Sequence, residues 1–212
     1  MAAAELADSI NSRLGCSSAT VEWAMSGTPF RCQVRLVLSD LDREVYASKT
    51  LSTAQHPDEP DEHVLLRFLA WTLFFDERMR DTQGWIDLHE ADLQADDLTG
   101  TLNLWVECGP PPAKRLTKAL GRTKTVRFIG LFGDEGEALA LRKEILGQRP
   151  RHLDNIGIYL IPLEFLQWLE TVGSRSMNWT ATISEGTLYL DCDGHTHQCQ
   201  PQRLTVSPHT PQ

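Results

Sequence analysis

The amino-acid sequence predicts an α+β fold in which a mixed β-sheet is covered by packed helices. Two observations predict it: several segments alternate apolar and polar residues as half-buried strands do, and helix-like segments are interspersed irregularly among them. No internal repeat or break in composition divides the 212 residues. We therefore predict one domain over residues 19–200, preceded by a flexible leader (1–18) and followed by a loose tail (201–212).

The amino-terminal half is predicted to begin with an antiparallel β-meander. Residues 20–25, 31–38 and 44–53 have strand patterns and are separated by turn residues. A helix is predicted over residues 63–79, with Asp58 as its N-cap. This helix is apolar around most of its circumference, so we expect it to be buried against a sheet.

The carboxyl-terminal half alternates strands and helices. Strands are predicted over residues 91–97, 101–108, 125–131, 156–161, 178–184 and 187–191, and helices over residues 114–120, 135–146 and 163–171. The passage from residue 101 to residue 131 has the order strand, helix, strand, which is typical of a parallel crossover.

Charge and composition restrict the functional classes. The formal net charge of −9 disfavours tight binding to phosphate backbones, so any contact with nucleic acid requires a local basic patch. No run of 18 apolar residues is present, and the amino terminus lacks the basic-then-apolar order of a signal peptide. Five cysteines without a CxxC pattern favour reduced thiols in a cytoplasmic protein. The absence of a long apolar run predicts that the protein does not contact the membrane.

An ordered series of short motifs resembles the YaeQ family over about residues 19–194. The motifs are Leu38-Ser-Asp-Leu-Asp-Arg43, Ala54-Gln-His-Pro57, Leu65-Leu-Arg-Phe-Leu-Ala-Trp71, Asp76-Glu-Arg78, Asp97-Leu-Thr-Gly100, Leu104-Trp-Val-Glu-Cys-Gly-x-Pro111 and Lys114-Arg-Leu-x-Lys-Ala119. The family resembles a variant of the PD-(D/E)XK nuclease fold. The resemblance implies a restriction-endonuclease-like core beside the meander and a Mg²⁺ site that acts on nucleic acid. A link to transcription elongation has also been suggested for the family.

The implied metal site centres on Glu107 at the end of a predicted strand. If residues 98–100 form a hairpin turn, Glu107 lies opposite Glu90 or Asp92, and we take these carboxylates as its partners in holding Mg²⁺. Asp97 is a further candidate ligand near the turn, with capping of that turn as its alternative role.

The lysine of the wider motif is missing, because Cys108 and Gly109 follow Glu107. Arg115 and Lys118, with Lys114, begin the next helix, and we take them as replacement phosphate clamps. His56 precedes the buried helix and is a further catalytic candidate that could reach the same cleft.

Three function hypotheses follow, and the least specific of them is a stable scaffold without a small-molecule site. The first is a Mg²⁺-dependent nuclease with a degenerate site, which would bind nucleic acid through a local basic patch. The second is a non-catalytic protein that uses the same cleft for a transcription-related or other protein partner. A separate zinc site at Cys192, His195 and His197 is a weaker hypothesis, because an exposed polar hairpin is the preferred explanation of this segment.

Overall fold

The structure is a computed structural model that describes residues 30–82, 84–85 and 89–206. Its strands are β1 (Phe30–Asp40), β2 (Val45–Gln55), β3 (Arg80–Asp81), β4 (Leu93–Asp96), β5 (Leu102–Cys108), β6 (Arg127–Phe132), β7 (Ile156–Leu160), β8 (Ser176–Ser184), β9 (Thr187–Cys192), β10 (His195–Cys199) and β11 (Gln202–Leu204). Its helices are α1 (Asp61–Leu73), α2 (Ala113–Leu120), α3 (Glu135–Gln148) and α4 (Leu163–Val172), with a 3-10 turn at Leu153–Asn155. The α+β class is confirmed.

The first sheet has the strand order β10-β9-β8-β1-β2. The hairpin β1–β2 is antiparallel, as predicted, but the other edge of β1 pairs in parallel with β8. The sequence predicted a three-stranded meander in the amino-terminal half. In the structure, the second neighbour of β1 comes instead from the far end of the chain. The strand predicted at residues 20–25 lies outside the described residues.

The second sheet has the order β11-β7-β6-β5-β4-β3 and is mixed. Strands β5, β6 and β7 run parallel and are connected through α2 and α3, which confirms the predicted crossover. Strand β11 pairs with β7, so the first residues of the predicted loose tail belong to this sheet.

Helix α1 lies between the two sheets. Every residue from Val64 to Thr72 is buried, and one apolar cluster joins α1 to side chains from both sheets and α4. The burial was predicted, but two details of the helix were wrong. Its N-cap position is Pro60 rather than Asp58, and it ends at Leu73, because Asp76 begins a turn by accepting the Arg78 N–H at 2.8 Å.

In the described part of the chain, none of the helices has the length and apolar composition needed to cross a membrane.

Candidate functional site

A hairpin brings two buried carboxylates side by side. Strands β4 and β5 are antiparallel, and near their open end the Asp92 N–H donates to the Val106 carbonyl at 3.1 Å. This register places Asp92 beside Glu107, and neither residue is measurably exposed (0% and 0%). Of the two partners that the hairpin geometry allowed, Asp92 is the one that packs against Glu107.

The guanidinium of Arg115 lies between the two carboxylates. Its Nη2 is 2.6 Å from Glu107 Oε2 and 3.6 Å from Asp92 Oδ1, and its Nη1 donates to the Gly84 carbonyl. Helix α2 turns Arg115 inward, whereas Lys114 is exposed on the same helix. Of the three predicted cationic groups, Arg115 therefore reaches the carboxylate pair.

Each carboxylate has a second anchor. The Cys108 N–H donates to Asp92 Oδ2 at 2.7 Å, and Trp105 Nε1–H donates to Glu107 Oε1 at 2.6 Å. Trp105 and Glu107 are two residues apart on β5 and therefore share a face. The side chains are thus held in place before any ligand arrives.

His63 is a site residue that the sequence analysis missed. Its Nε2 is 3.5 Å from Asp92 Oδ2, and its Nδ1 is 2.5 Å from Glu59 Oε1. It lies in the first turn of α1, and the available signal was a histidine between two acids and the apolar run of the helix. Its partner Asp92 is distant in the chain, so the sequence alone could not show what the histidine contacts.

Arg67 extends the same network into the centre of the molecule. Its side chain is 1% exposed, with Nη2 at 2.6 Å from Glu59 Oε1 and Nη1 at 3.1 Å from Asp81 Oδ2. Its Nη2 also donates to the Ala54 carbonyl of β2 at 3.1 Å. The result is a continuous chain of alternating charge, which we call the charge chain: Asp81, Arg67, Glu59, His63, Asp92, Arg115 and Glu107.

The charge chain shifts the proton affinities of its members in different directions. Burial and the nearby charge of Asp92 raise the pKa of Glu107 to about 8, against the opposing charge of Arg115. Burial acts in the same sense on Asp92, but interactions with His63, Arg115 and the Cys108 N–H outweigh it and lower the pKa of Asp92. For His63, burial is outweighed by Asp92 and Glu59, which raise its pKa to about 9. Two neighbouring carboxyls with opposite shifts are typical of functional sites.

A cleft of about 400 Å³ gives access to this cluster. His63 and Arg115 line it, together with Glu62, Glu137 and Trp85. The Trp85 ring lies 4.9 Å from the His63 ring, measured between centroids, and Trp85 is 39% exposed. Two members of the charge chain can therefore be reached by a ligand.

Glu90 and Lys118 lie at the margin of the cluster. The Lys118 ammonium donates to the His89 carbonyl at 2.6 Å and is 3.9 Å from Glu90 Oε1. Glu90 also accepts a hydrogen bond from Gln94 at 2.8 Å. Among the described residues, no hydrogen bond or ion pair joins either side chain to Asp92 or Glu107.

Asp97 and His56, the other two predicted site residues, form hydrogen bonds within their own turns. Asp97 caps the β4–β5 turn by accepting the N–H groups of Thr99 (2.8 Å) and Thr101 (3.0 Å). The Thr99 hydroxyl, which donates to Asp97 at 2.6 Å, and these N–H groups hold the pKa of Asp97 below its usual range. The alternative role considered for Asp97 is the one the structure displays. The His56 ring accepts the Asp58 N–H at 3.3 Å, so it serves its own turn.

Within the described residues, no group of three or more His, Cys, Asp or Glu side chains converges as a metal cage. Cys192 and His195 do pair across the β9–β10 hairpin, as predicted. Cys192 is buried, however, and His195 is exposed, while His197 packs on Trp168 with 5.2 Å between ring centroids. In the structure, therefore, these three side chains do not converge on one point.

Comparisons with known proteins match most of the chain. The family model described as "YaeQ protein" matches residues 24–201. The protein named "Uncharacterized protein YaeQ" from Escherichia coli (strain K12) is 30% identical over 172 residues, which cover 80% of this chain and 91% of that protein. Its namesake from Salmonella typhi is 30% identical over 169 residues, covering 79% and 90% of the two chains.

Two crystal structures share the fold. The YaeQ protein from Xanthomonas axonopodis pv. citri superimposes with a TM-score of 0.73 at 27% identity, covering 83% of this chain and 98% of that one. The YaeQ protein from Pseudomonas syringae has a TM-score of 0.71 at 30% identity and covers 84% and 96%. This chain therefore belongs to the YaeQ family.

Proposed function

We propose that this chain is a divalent-metal-dependent phosphodiesterase whose site is the Asp92–Glu107 pair beside the cleft, behind Arg115 and His63. One observation carries the proposal. Two fully buried carboxylates on adjacent strands direct oxygens at the same guanidinium nitrogen, beside a cleft lined by that arginine and by His63. Burying two like charges together is unfavourable unless a cation accompanies them, and enzymes use such pairs.

The donor set fits Mg²⁺ or Mn²⁺. Hard cations take oxygen ligands, and Mg²⁺ in phosphate chemistry is held by one or two carboxylates with water and substrate as the remaining ligands. Asp92 and Glu107 supply those two carboxylates. A bound divalent ion would act as a Lewis acid on a phosphoryl oxygen.

The other side chains of the site suit a phosphate ester. Arg115 lines the cleft and presents a planar, permanently charged group that matches phosphate oxygens. His63 also faces the cleft and, with its raised pKa, is protonated at neutral pH. It can therefore stabilise negative charge or donate a proton to a leaving oxygen. In this arrangement Arg115 takes the place of the missing strand lysine.

A second candidate function is a non-catalytic binding protein that uses the cleft for a protein partner. The position of Arg115 favours it, because the guanidinium lies 2.6 Å from Glu107 and 3.6 Å from Asp92, and Asp92 is the carboxylate that stays ionised below about pH 8. A site whose charge is balanced without a metal can serve as a rigid recognition surface.

Titration with Mg²⁺ or Mn²⁺ at about pH 8, followed by thermal unfolding, separates the two functions. A cation at 100 times its dissociation constant stabilises the folded state by about 2.7 kcal/mol, which corresponds to roughly 5–10 °C for a chain of this size. We expect this shift in the wild type. We expect Asp92→Asn and Glu107→Gln to abolish it, because each removes one anionic ligand.

Asp97→Asn is the matched control. It removes the same charge from the same hairpin but lies outside the cluster, so the metal-induced shift should remain. The nicking of labelled single- and double-stranded DNA and RNA then tests the chemistry. If neither cation stabilises the wild type, or if Asp97→Asn loses the shift as completely as Asp92→Asn does, the phosphodiesterase proposal fails and the binding function stands.

A further inference from the structure

A second concave site lies at the opposite end of α2 from the cleft. It is a pocket of about 420 Å³ between the ends of α2 and α3. Three permanently charged side chains line it, Lys124, Arg149 and Arg151, together with His152 and the hydroxyl-bearing Thr117. No aspartate or glutamate is among its lining residues. We call it the basic pocket.

The local sequence makes this pocket unusual for an acidic chain. Residues 113–124 contain five lysines and arginines and no acid, although the whole chain has a net charge of −9. Two further arginines, Arg149 and Arg151, are added from the end of α3. Positive charge is thus concentrated on one part of a molecule that is otherwise strongly negative.

These cations have no anionic partner within the described part of the chain. Lys124, Arg149 and Arg151 are exposed, and none of them forms an ion pair there. Stabilising the carboxyl ends of α2 and α3 does not account for them. Each helix end carries about −0.5 of an elementary charge, so two ends balance roughly one of the three cations.

Hydrogen bonds from side chains to backbone carbonyls fix the backbone around the pocket. The Asn155 Nδ2–H donates to the Thr123 carbonyl at 2.8 Å, and Thr123 Oγ1 donates to the Leu120 carbonyl at 2.9 Å. Arg149 ends α3 in the left-handed conformation (φ 49°), which turns the chain toward Arg151. Positions set in advance reduce the entropy lost when a ligand binds.

We infer that the basic pocket binds the phosphate backbone of a single-stranded nucleic acid. Arginine forks and a lysine match phosphate oxygens, and the concave shape suits a strand. An anionic membrane is a poorer match, because none of the exposed large apolar residues in the described chain lines the pocket to insert into lipid.

The pocket and the cleft are arranged along one helix. Arg115 lines the cleft, and Thr117 and Gly121 line the pocket. The eight residues of α2 span about 12 Å, a distance that a few nucleotides cover. The identity of the strand as a substrate rests on the proposed phosphodiesterase, whereas binding itself requires no catalysis.

Fluorescence anisotropy with labelled 20-nucleotide single-stranded RNA and DNA tests this inference on the full chain. The variant combines Lys124→Gln, Arg149→Asn and Arg151→Gln, with asparagine chosen because it tolerates the left-handed conformation. We expect its dissociation constant to rise at least tenfold. The slope of log affinity against log salt should fall by about 2, since each phosphate contact to a single strand contributes about 0.7.

Two comparisons make the result specific. A control variant with Arg31→Gln, Arg35→Gln and Arg203→Gln removes the same charge from exposed positions elsewhere and should keep the wild-type affinity. Binding should also persist in a chelator without Mg²⁺ or Mn²⁺, which separates this site from the metal site. Three results would overturn the inference: no binding by the wild type, equal loss in the control variant, or pocket-dependent binding only to phosphatidylserine vesicles or inorganic phosphate.

Discussion

Replacing Arg67 with methionine is expected to lower the free energy of unfolding by about 3–5 kcal/mol. Arg67 is buried in α1 and bonded to Glu59, Asp81 and the Ala54 carbonyl. Methionine fills much of the same volume but removes the buried positive charge that lies between Glu59 and Asp81. Chemical denaturation followed by tryptophan fluorescence measures the change.

Arg80→Gln provides the control for this prediction. Arg80 pairs with Asp96, but the two side chains are 47% and 28% exposed, so the loss should stay below about 1 kcal/mol. Adding Glu59→Gln and Asp81→Asn to Arg67→Met should recover part of the stability, because the negative charges that faced Arg67 are then absent. Equal losses at Arg67 and Arg80 would contradict a central role for the charge chain.

Glu107→Gln is expected to change how stability depends on pH, by on the order of 4 kcal/mol between about pH 4.5 and pH 8. The pKa of Glu107 rises from 4.5 to about 8 on folding, because the carboxyl is buried beside Asp92. Across this window the folded protein holds a proton that the unfolded chain has lost. Wild-type stability therefore falls as pH rises through the window, and the variant should lack this decrease.

Urea unfolding at several pH values in the presence of a chelator measures the effect. The difference between variant and wild type is the diagnostic quantity, since glutamine also introduces an offset that does not vary with pH. His63 remains in both proteins, and its pKa of about 9 makes both lose stability between about pH 6.5 and 9. Parallel curves for the two proteins, or an equal change in Glu90→Gln, would contradict the prediction.

The sequence was most informative where a pattern is local. Alternation and helical spacing predicted most strands and helices, and the turn at residues 98–100 predicted that Glu107 faces Asp92 or Glu90. The same reasoning assigned Asp97 a capping role as its alternative. These inferences succeeded because a hairpin determines its own register within about 15 residues.

Local sequence patterns could not predict contacts between distant segments. The pairing of β1 with β8 joins residues more than 140 positions apart, and no local pattern reports it. His63 and Arg67 were read as part of an apolar helix, and only the packing of α1 between the sheets brings them to Glu59, Asp81 and Asp92. The choice of Arg115 over Lys114 and Lys118 likewise depends on how α2 is rotated against the sheet.

By itself, therefore, the sequence determined the α+β class, the order of most elements, the family resemblance and the hairpin that carries the two carboxylates. The tertiary structure decided which cation stands between them, that His63 and Arg67 join them, and that Lys124, Arg149 and Arg151 meet in one pocket. The physical reason is the range of the interactions. Backbone and turn preferences act over a few residues, whereas a buried charge pairs with whichever groups packing brings close, however far apart they lie in the chain.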